Sequence, residues 1–219
     1  MKLLRNSIAA AVVTTLVLML VAALFGSTQK ASAESRSDTV KYASIPAGSY
    51  KFDPNHTVIG FSVRHLEIAL VQGRFKDLQG TLNFDDKDVT RSSVEFSAKI
   101  ASIDTGVEAR NAHLRTADFF DAAKYPEMTF KSTKVEKKGK DYRMTGDLTI
   151  KGVTKQVTFP FTITGAVKDP WGGTRFGVAA NTVINRRDFN INYGNALSIG
   201  GFDVANDVNV GLQIEAVKQ

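Results

Sequence analysis

From residue 49 to the C-terminus, apolar and polar positions alternate along the chain with a period of two. Val208, Val210 and Leu212, for example, are separated by single polar or small residues. Such a segment has one apolar and one polar face, which is typical of antiparallel strands with one wet side. The alternation predicts strands over 49–53, 57–66, 71–84, 92–102, 127–136, 142–151, 153–167, 174–186 and 204–217, or about eight strands if the first is a short extension.

Turn signals separate these strands, and one segment departs from the alternation. Lys151-Gly152 predicts a two-residue hairpin, and the polar run 138–141 predicts another. Thr105, with Glu108 three residues later, has the spacing of a helix capping box. Pro126 prevents a helix from continuing. We therefore expect one short helical segment at about 106–122.

The regular spacing of strands and turns favours an all-β fold, either a sandwich or a barrel. Long consecutive hairpins favour the barrel, because closure removes the exposed edge strands. The fold class predicted is an eight-stranded antiparallel barrel with one short helical segment.

The N-terminal residues have the pattern of an export signal. Lys2 and Arg5 precede eighteen uncharged residues, and Ala31-Ser32-Ala33 follows as a cleavage site. The apolar stretch is also nearly long enough for an uncleaved anchor. We expect residues 1–33 to be a signal peptide or such an anchor, 34–48 a flexible lead, and 49–219 the barrel. The protein would then be periplasmic or secreted, or tethered by its N-terminal helix.

Charge and cysteine content restrict the partners. Removal of residues 1–33 takes away three basic residues and reduces the formal charge from +6 to +3. No concentrated basic stripe is present, so we expect no nucleic-acid partner. The chain has no cysteine, and its three histidines show no metal-binding spacing, so we expect no metal site.

The apolar faces of the predicted strands would line the barrel interior. An eight-stranded barrel is either filled by its own side chains or holds one small ligand. Composition alone favours a packed core, since aromatic side chains fill much volume. The alternative is an apolar tunnel for a ligand tail, lined by Ile59, Phe61, Val63, Phe75, Phe84, Phe96, Phe130, Leu148, Phe159, Phe161, Phe176 and Val178.

An enzyme is the rival class. A nucleophile would need a base such as histidine beside it, and no nucleophile-elbow motif occurs. Asp104, Asp118 and Asp121 lie near His113 in sequence and could form an acid–base group, but helix caps and surface pairs explain them equally well. We therefore predict no catalytic residues. A packed barrel that binds a partner or serves as a structural module in the cell envelope is the other alternative.

Motifs along about 165 residues resemble the YceI family of exported, lipocalin-like polyisoprenoid-binding proteins. They include Asp53-Pro54-Asn55-His56, Ser102-Ile103-Asp104-Thr105-Gly106, Tyr125-Pro126, Leu148-Thr149-Ile150-Lys151-Gly152 and Ile184-Asn185-Arg186-Arg187-Asp188-Phe189. The chain departs from the family pattern at Thr57, Asn111 and Asn190, where Ser, Asp and Gly are usual.

The resemblance implies a lipocalin-like barrel whose apolar pore takes an isoprenoid or another long-tailed amphiphile, and it favours the tunnel over the packed core. We expect no resident cofactor beyond a bound polyisoprenoid or quinone-like lipid, and transient contact with a membrane. The oligomeric state stays open.

Cationic and imidazole side chains are candidates to bind the headgroup of such a ligand. On a helix, Arg110 and His113 would share a face, and guanidinium groups suit phosphate. The hypothesis gathers a set at the barrel mouth: Arg64, His65, Arg110, His113 and Arg115. In the alternative, Arg115 pairs with Asp118 along the helix, and His65 is a hydrogen-bonded core residue.

Overall fold

The computed structural model describes residues 43–139 and 141–219. The predicted signal peptide or anchor, 1–33, and residues 34–42 of the predicted lead lie outside the described residues. Residues 43–47 contact the barrel: the Ala43 amide donates a hydrogen bond to the Ala166 carbonyl, and Ile45 packs against the core.

Antiparallel strands make up most of the described residues. They are β1 (Gly48–Phe52), β2 (Val58–His65), β3 (Ala69–Phe75), β4 (Leu78–Phe84), β5 (Ser93–Lys99), β6 (Ile103–Asp104), β7 (Glu127–Lys138), β8 (Asp141–Ile150), β9 (Val153–Lys168), β10 (Thr174–Asn185) and β11 (Val204–Lys218). One α-helix, α1 (Glu108–Leu114), is present in the described residues, with short 3-10 turns at Val89–Arg91, Ile100–Ser102 and Arg186–Phe189.

Eight strands close into a ring, in the order β1-β4-β5-β7-β8-β9-β10-β11 and back to β1. Closure occurs at β1, where Tyr50 pairs with Leu82 of β4 on one side and with Lys218 of β11 on the other. The predicted eight-stranded antiparallel barrel is therefore confirmed. β2, β3 and β6 extend one side of the ring, because β2 pairs with the N-terminal part of β11.

The predicted strand 71–84 is interrupted in the structure. At the break, the ladder between β2 and β3 ends at Phe75, and the Lys76 amide donates to the Ser102 carbonyl in continuation of the β3–β6 pairing. The bend lets β4 pair with β1 and β3 pair with β2. Alternation within one strand carries no signal for a bend that depends on a bond to residue 102.

The helix is confirmed, but it is shorter than 106–122. It ends at Leu114, and residues 115–125 form successive turns. The expected capping box does not form: Val107 occupies the N-cap position without a side-chain bond. The Thr105 hydroxyl instead donates to the amide oxygen of buried Asn111, at 2.7 Å. The two-residue hairpin at Lys151-Gly152 forms as predicted, with positive φ at both residues.

Candidate functional site

The barrel interior contains two neighbouring apolar chambers. The lower chamber lies beside α1 and the β10–β11 connection, and its cavity volume is about 150 Å³. The upper chamber lies towards the β9–β10 turn and has a cavity volume of about 50 Å³. A cavity needs only about 10–15 Å³ on this measure to hold one water molecule, so the side chains leave free space in the barrel interior.

All twelve predicted tail-binding residues line these chambers. The lower chamber has Ile59, Phe61, Val63, Phe75 and Leu148, and the upper chamber has Phe84, Phe161, Phe176 and Val178. Phe96, Phe130 and Phe159 line both. Period-two alternation therefore identifies the inward side chains correctly, while their role in binding a tail stays a prediction.

The two chambers meet at a waist formed by Phe96, Phe130, Phe159 and Leu212, which line both. The Phe96 and Phe130 rings are stacked, with centroids 5.4 Å apart, and the Phe159 ring lies 5.6 Å from that of Phe130. Aromatic contacts of this kind are worth about 0.5–1.5 kcal/mol beyond area burial. The waist is thus an ordered aromatic constriction between the chambers.

The segment after α1 closes one side of the lower chamber. Leu114, Phe119 and Phe120 line it, and the Phe120 ring meets the Phe75 ring edge-on at 5.9 Å. Phe119 is buried, so this Phe pair faces the chamber rather than solvent.

None of the five predicted headgroup residues lines either chamber in the described part of the chain. Arg64 and His65 are exposed at the end of β2, so His65 is not a core residue. Arg110 donates to the hydroxyl and carbonyl oxygens of Thr105.

The other two candidates also have local partners. His113 Nε2 lies 2.9 Å from Asp118 Oδ2, and its ring contacts Phe119 and Tyr193. Arg115 donates to Glu108 at 2.7 Å, so the pair considered between Arg115 and Asp118 does not form. Helical periodicity predicts that Arg110 and His113 share a face. It could not indicate that each side chain binds a residue close to it in sequence.

The sequence interpretation missed Arg186. This side chain is 4 % exposed and is the one charged group lining the lower chamber among the described residues. The signal was present in β10, where Val178, Ala180, Thr182 and Ile184 share the inward face and Arg186 is the next residue in that series.

A second cluster of charged groups lies outside both chambers. Arg175 Nη1 donates to Asp53 and Glu215, each at 2.6 Å, and Arg175 Nε donates to Asp169 at 2.7 Å. Asp53 is hydrogen-bonded to His56 and to Arg175. These bonds lower the pKa of Asp53 to about 2, although its burial acts to raise it. Asp53, His56 and Glu215 have the spacing of metal ligands, but Arg175 already supplies the positive charge between the two carboxylates.

Comparison with known proteins identifies the family. Residues 50–216 match the YceI-like domain. The chain belongs to the YceI family. Protein YceI of Escherichia coli is 40 % identical over 178 residues, which cover 80 % of this chain and 90 % of that protein. A UPF0312 protein of Photorhabdus laumondii is 44 % identical over 150 residues, covering 68 % and 78 %.

Solved structures share the fold of this YceI-family chain. The Campylobacter jejuni YceI protein has a TM-score of 0.62 and 34 % identity, covering 71 % of this chain and 90 % of that one. BcnA of Burkholderia cenocepacia has a TM-score of 0.67 and 25 % identity, covering 75 % and 98 %. Among the described residues, no helix is both long and apolar enough to span a bilayer.

The structure accounts for one departure from the usual YceI pattern. Asn190 has φ +57°, in the left-handed region that glycine adopts at no cost. Asparagine tolerates this region better than other side chains, so it can replace the usual glycine. Its carbonyl also accepts a hydrogen bond from Lys151.

Proposed function

We propose that this YceI-family protein is a carrier that binds a long-chain isoprenoid or a similar amphiphilic lipid along the barrel interior. The observation that carries the proposal is the pair of chambers. Their lining is apolar except for Thr182 and Arg186 in the lower chamber and Ser92 and Ser93 in the upper. A tail gains about 0.8 kcal/mol for each CH₂ that it buries, so a chain of several isoprene units binds without directed contacts.

A domain from Saccharophagus degradans described as polyisoprenoid-binding supports the ligand class. It has a TM-score of 0.60 at 16 % identity and covers 78 % of this chain, so it shares the fold. A quinone-like lipid has the same apolar tail and suits the same chambers. We assign the protein no catalytic step: the imidazole rings of His56 and His113 contact Asp53 and Asp118, and no serine or threonine hydroxyl of the described residues is hydrogen-bonded to either ring.

The proposed carrier acts outside the cytoplasm, after cleavage behind Ala33 or while tethered by residues 1–33. Because its cargo is insoluble in water, it must load from a bilayer or deliver to one. Two exposed loop tips suit that contact, and both lie at the lower end of the barrel, the end beside the lower chamber. Ile68 in the β2–β3 turn is 78 % exposed, and Ile199 in the β10–β11 connection is 79 % exposed. The segments are joined by a hydrogen bond from the Leu66 amide to the Asp203 carbonyl.

Calorimetric titration of the delipidated protein with prenyl alcohols of increasing length tests the proposal. We expect saturable binding that tightens with each isoprene unit, with a negative heat-capacity change. Ala180→Phe fills the upper chamber and should weaken long tails more than short ones. Ala179→Phe is the matched control, because Ala179 is on the outer face of β10. Failure of every alcohol to bind would overturn the carrier proposal and favour a partner-binding module.

A further inference from the structure

Irregular segments, in addition to strands, line the lower chamber at the lower end of the barrel. Leu114, Phe119 and Phe120 come from the end of α1 and the turns that follow it, and Phe189 and Ile191 come from the segment after β10. Irregular segments are not held by the ladders of hydrogen bonds that join neighbouring strands. They can therefore move without disrupting the barrel.

Residues 192–203 of the β10–β11 connection, called the lid below, form a small hairpin of their own. The Leu197 amide donates to the Gly201 carbonyl at 3.1 Å. The Asp203 amide donates to the Asn195 carbonyl at 3.0 Å, and the Asp203 carboxylate accepts from the Asn195 amide at 2.9 Å. Gly194, just before the hairpin, has φ +109°, a conformation that glycine adopts readily. The lid thus keeps its shape through internal bonds and can pivot at Gly194.

Side chains dock the lid on the rest of the protein. The Tyr193 ring lies 4.7 Å from the Phe119 ring and 4.9 Å from the His113 ring, measured between centroids. At the other side of the lid, the Phe202 amide donates to a Glu67 carboxylate oxygen at 3.3 Å. Aromatic contacts of this kind are individually weak. The docked position can therefore be left and regained while the strands stay folded.

The latch of the lid lies against the chamber wall. Phe119 lines the chamber and is 7 % exposed, whereas Tyr193 packs on it from outside and is 41 % exposed. Movement of Tyr193 away from Phe119 would uncover this part of the wall. We propose that residues 192–203 are a mobile lid over the lower chamber, latched by Tyr193, and that the apolar chain enters and leaves the barrel beneath it. The inference rests on the proposed carrier function and adds the route of exchange. Ile199, a tip proposed to touch the bilayer, belongs to the lid, so the opening lies where the cargo is.

Exchange kinetics of the delipidated protein test the latch. Retinol is an isoprenoid alcohol that fluoresces more strongly in apolar surroundings, so stopped-flow fluorescence measures its uptake and release. Tyr193→Ala removes both ring contacts, and both rates should rise at least about fivefold. Residues 192–203 do not line the chamber, so the lid closes equally well over an empty or a filled barrel. The dissociation constant should therefore change less than about twofold.

Trp171→Ala is the matched control at the upper end of the barrel. Trp171 is also an exposed aromatic residue, in the β9–β10 turn, and its ring contacts Arg175. This variant should exchange retinol as fast as the unsubstituted protein does. Unchanged rates in Tyr193→Ala, or faster exchange in Trp171→Ala alone, would overturn the lid while leaving the carrier function intact. Failure of the unsubstituted protein to bind either retinol or geranylgeraniol at equilibrium would contradict the carrier function itself.

A reversible lock tests the movement of the lid within one protein. The chain has no cysteine, and a Cβ at residue 201 would lie 3.0 Å from Glu67 Cγ, where a cysteine at residue 67 would have its Sγ. The double variant Glu67→Cys, Gly201→Cys should therefore form a disulfide that holds the lid on the β2–β3 turn.

The oxidised form of this variant should take up retinol at least about tenfold more slowly than its reduced form. Strain from a side chain at residue 201, where φ is +78°, is present in both forms and does not affect their comparison. Equal uptake rates in the oxidised and reduced forms would overturn the lid.

Discussion

A single glycine sets the packing of the waist. Gly146 lies on the inward face of β8 between Met144 and Leu148, and the Phe130 ring covers it. A Cβ at this position would lie 2.6 Å from the Lys131 carbonyl oxygen and would also meet the Phe130 ring. The backbone oxygen cannot move away as a flexible side chain could, so the absence of a side chain at Gly146 is what lets the ring lie against the sheet.

Gly146→Ala should therefore destabilise the barrel by about 1–3 kcal/mol, the usual cost of overpacking. Urea unfolding measures the loss. Gly60→Ala is the matched control, because Gly60 is also in a strand and its added Cβ would meet nothing closer than 3.6 Å. Equal stability of the two variants would show that the waist tolerates a side chain at residue 146.

The pH dependence of stability follows from His56. The Asp53 carboxylate and then Glu215 raise the pKa of His56 above its ordinary value. Protonated His56 therefore stabilises the folded state. This contribution is complete below the unfolded-state pKa of about 6.5 and is lost as the pH rises through the folded-state pKa. The free energy of unfolding should fall over that interval in the unsubstituted protein. His56→Gln should remove this part of the pH dependence, as urea unfolding at about pH 5.5 and pH 9 would measure. An unchanged slope would contradict the role given to His56.

Single residues also show where sequence interpretation stops. Alternation identified Phe96, Phe130 and Phe159 as inward, because period two fixes the face of a strand whatever lies across from it. The same alternation did not identify Arg186 as an inward residue, because a cationic residue at the end of a strand usually lies in solvent. Its bonds go to the carbonyls of Ile191, Val204 and Ala205, which only the fold brings together.

At the scale of elements, the strands were predictable and the breaks between them were not. Strand faces depend on local alternation, whereas the bend between β3 and β4 depends on a bond from Lys76 to Ser102. The start of the helix differs from the prediction for a related reason. Its start is held by Asn111, which accepts from both the amide and the hydroxyl of Thr105, and a buried asparagine in this role has no local sequence signature.

The lower tips are the elements proposed to touch a bilayer. Burying an exposed isoleucine contributes about 1.5–3 kcal/mol, so the double variant Ile68→Asp, Ile199→Asp should lower vesicle binding at least about tenfold. Sedimentation with phospholipid vesicles measures the change. The double variant should bind a prenyl alcohol delivered in detergent as tightly as the unsubstituted protein does.

A matched control lies at the opposite end of the barrel. Val167 and Trp171 are 47 % and 84 % exposed near the β9–β10 turn. The variant Val167→Asp, Trp171→Asp should bind vesicles as the unsubstituted protein does. Loss of vesicle binding in this pair, with none in the tip variant, would place the membrane contact at the upper end.

At the scale of the whole molecule, ring closure and the interior volume act together. Closure of eight strands pairs the edges of β1 with β4 and β11, which leaves an interior wide enough for one ligand. The sequence indicated the barrel, but it could not decide between a packed core and a tunnel. That outcome depends on how aromatic rings such as Phe130 and Phe159 lie along the wall, which composition does not specify.

Native mass spectrometry of the protein purified from its own host, followed by organic extraction, tests the carrier function most directly. We expect one long-chain prenyl species, or a similar amphiphile, for each protein molecule. A protein that carries no lipid, and that takes up neither a prenyl phosphate nor a prenyl alcohol when these are supplied, would contradict the carrier function.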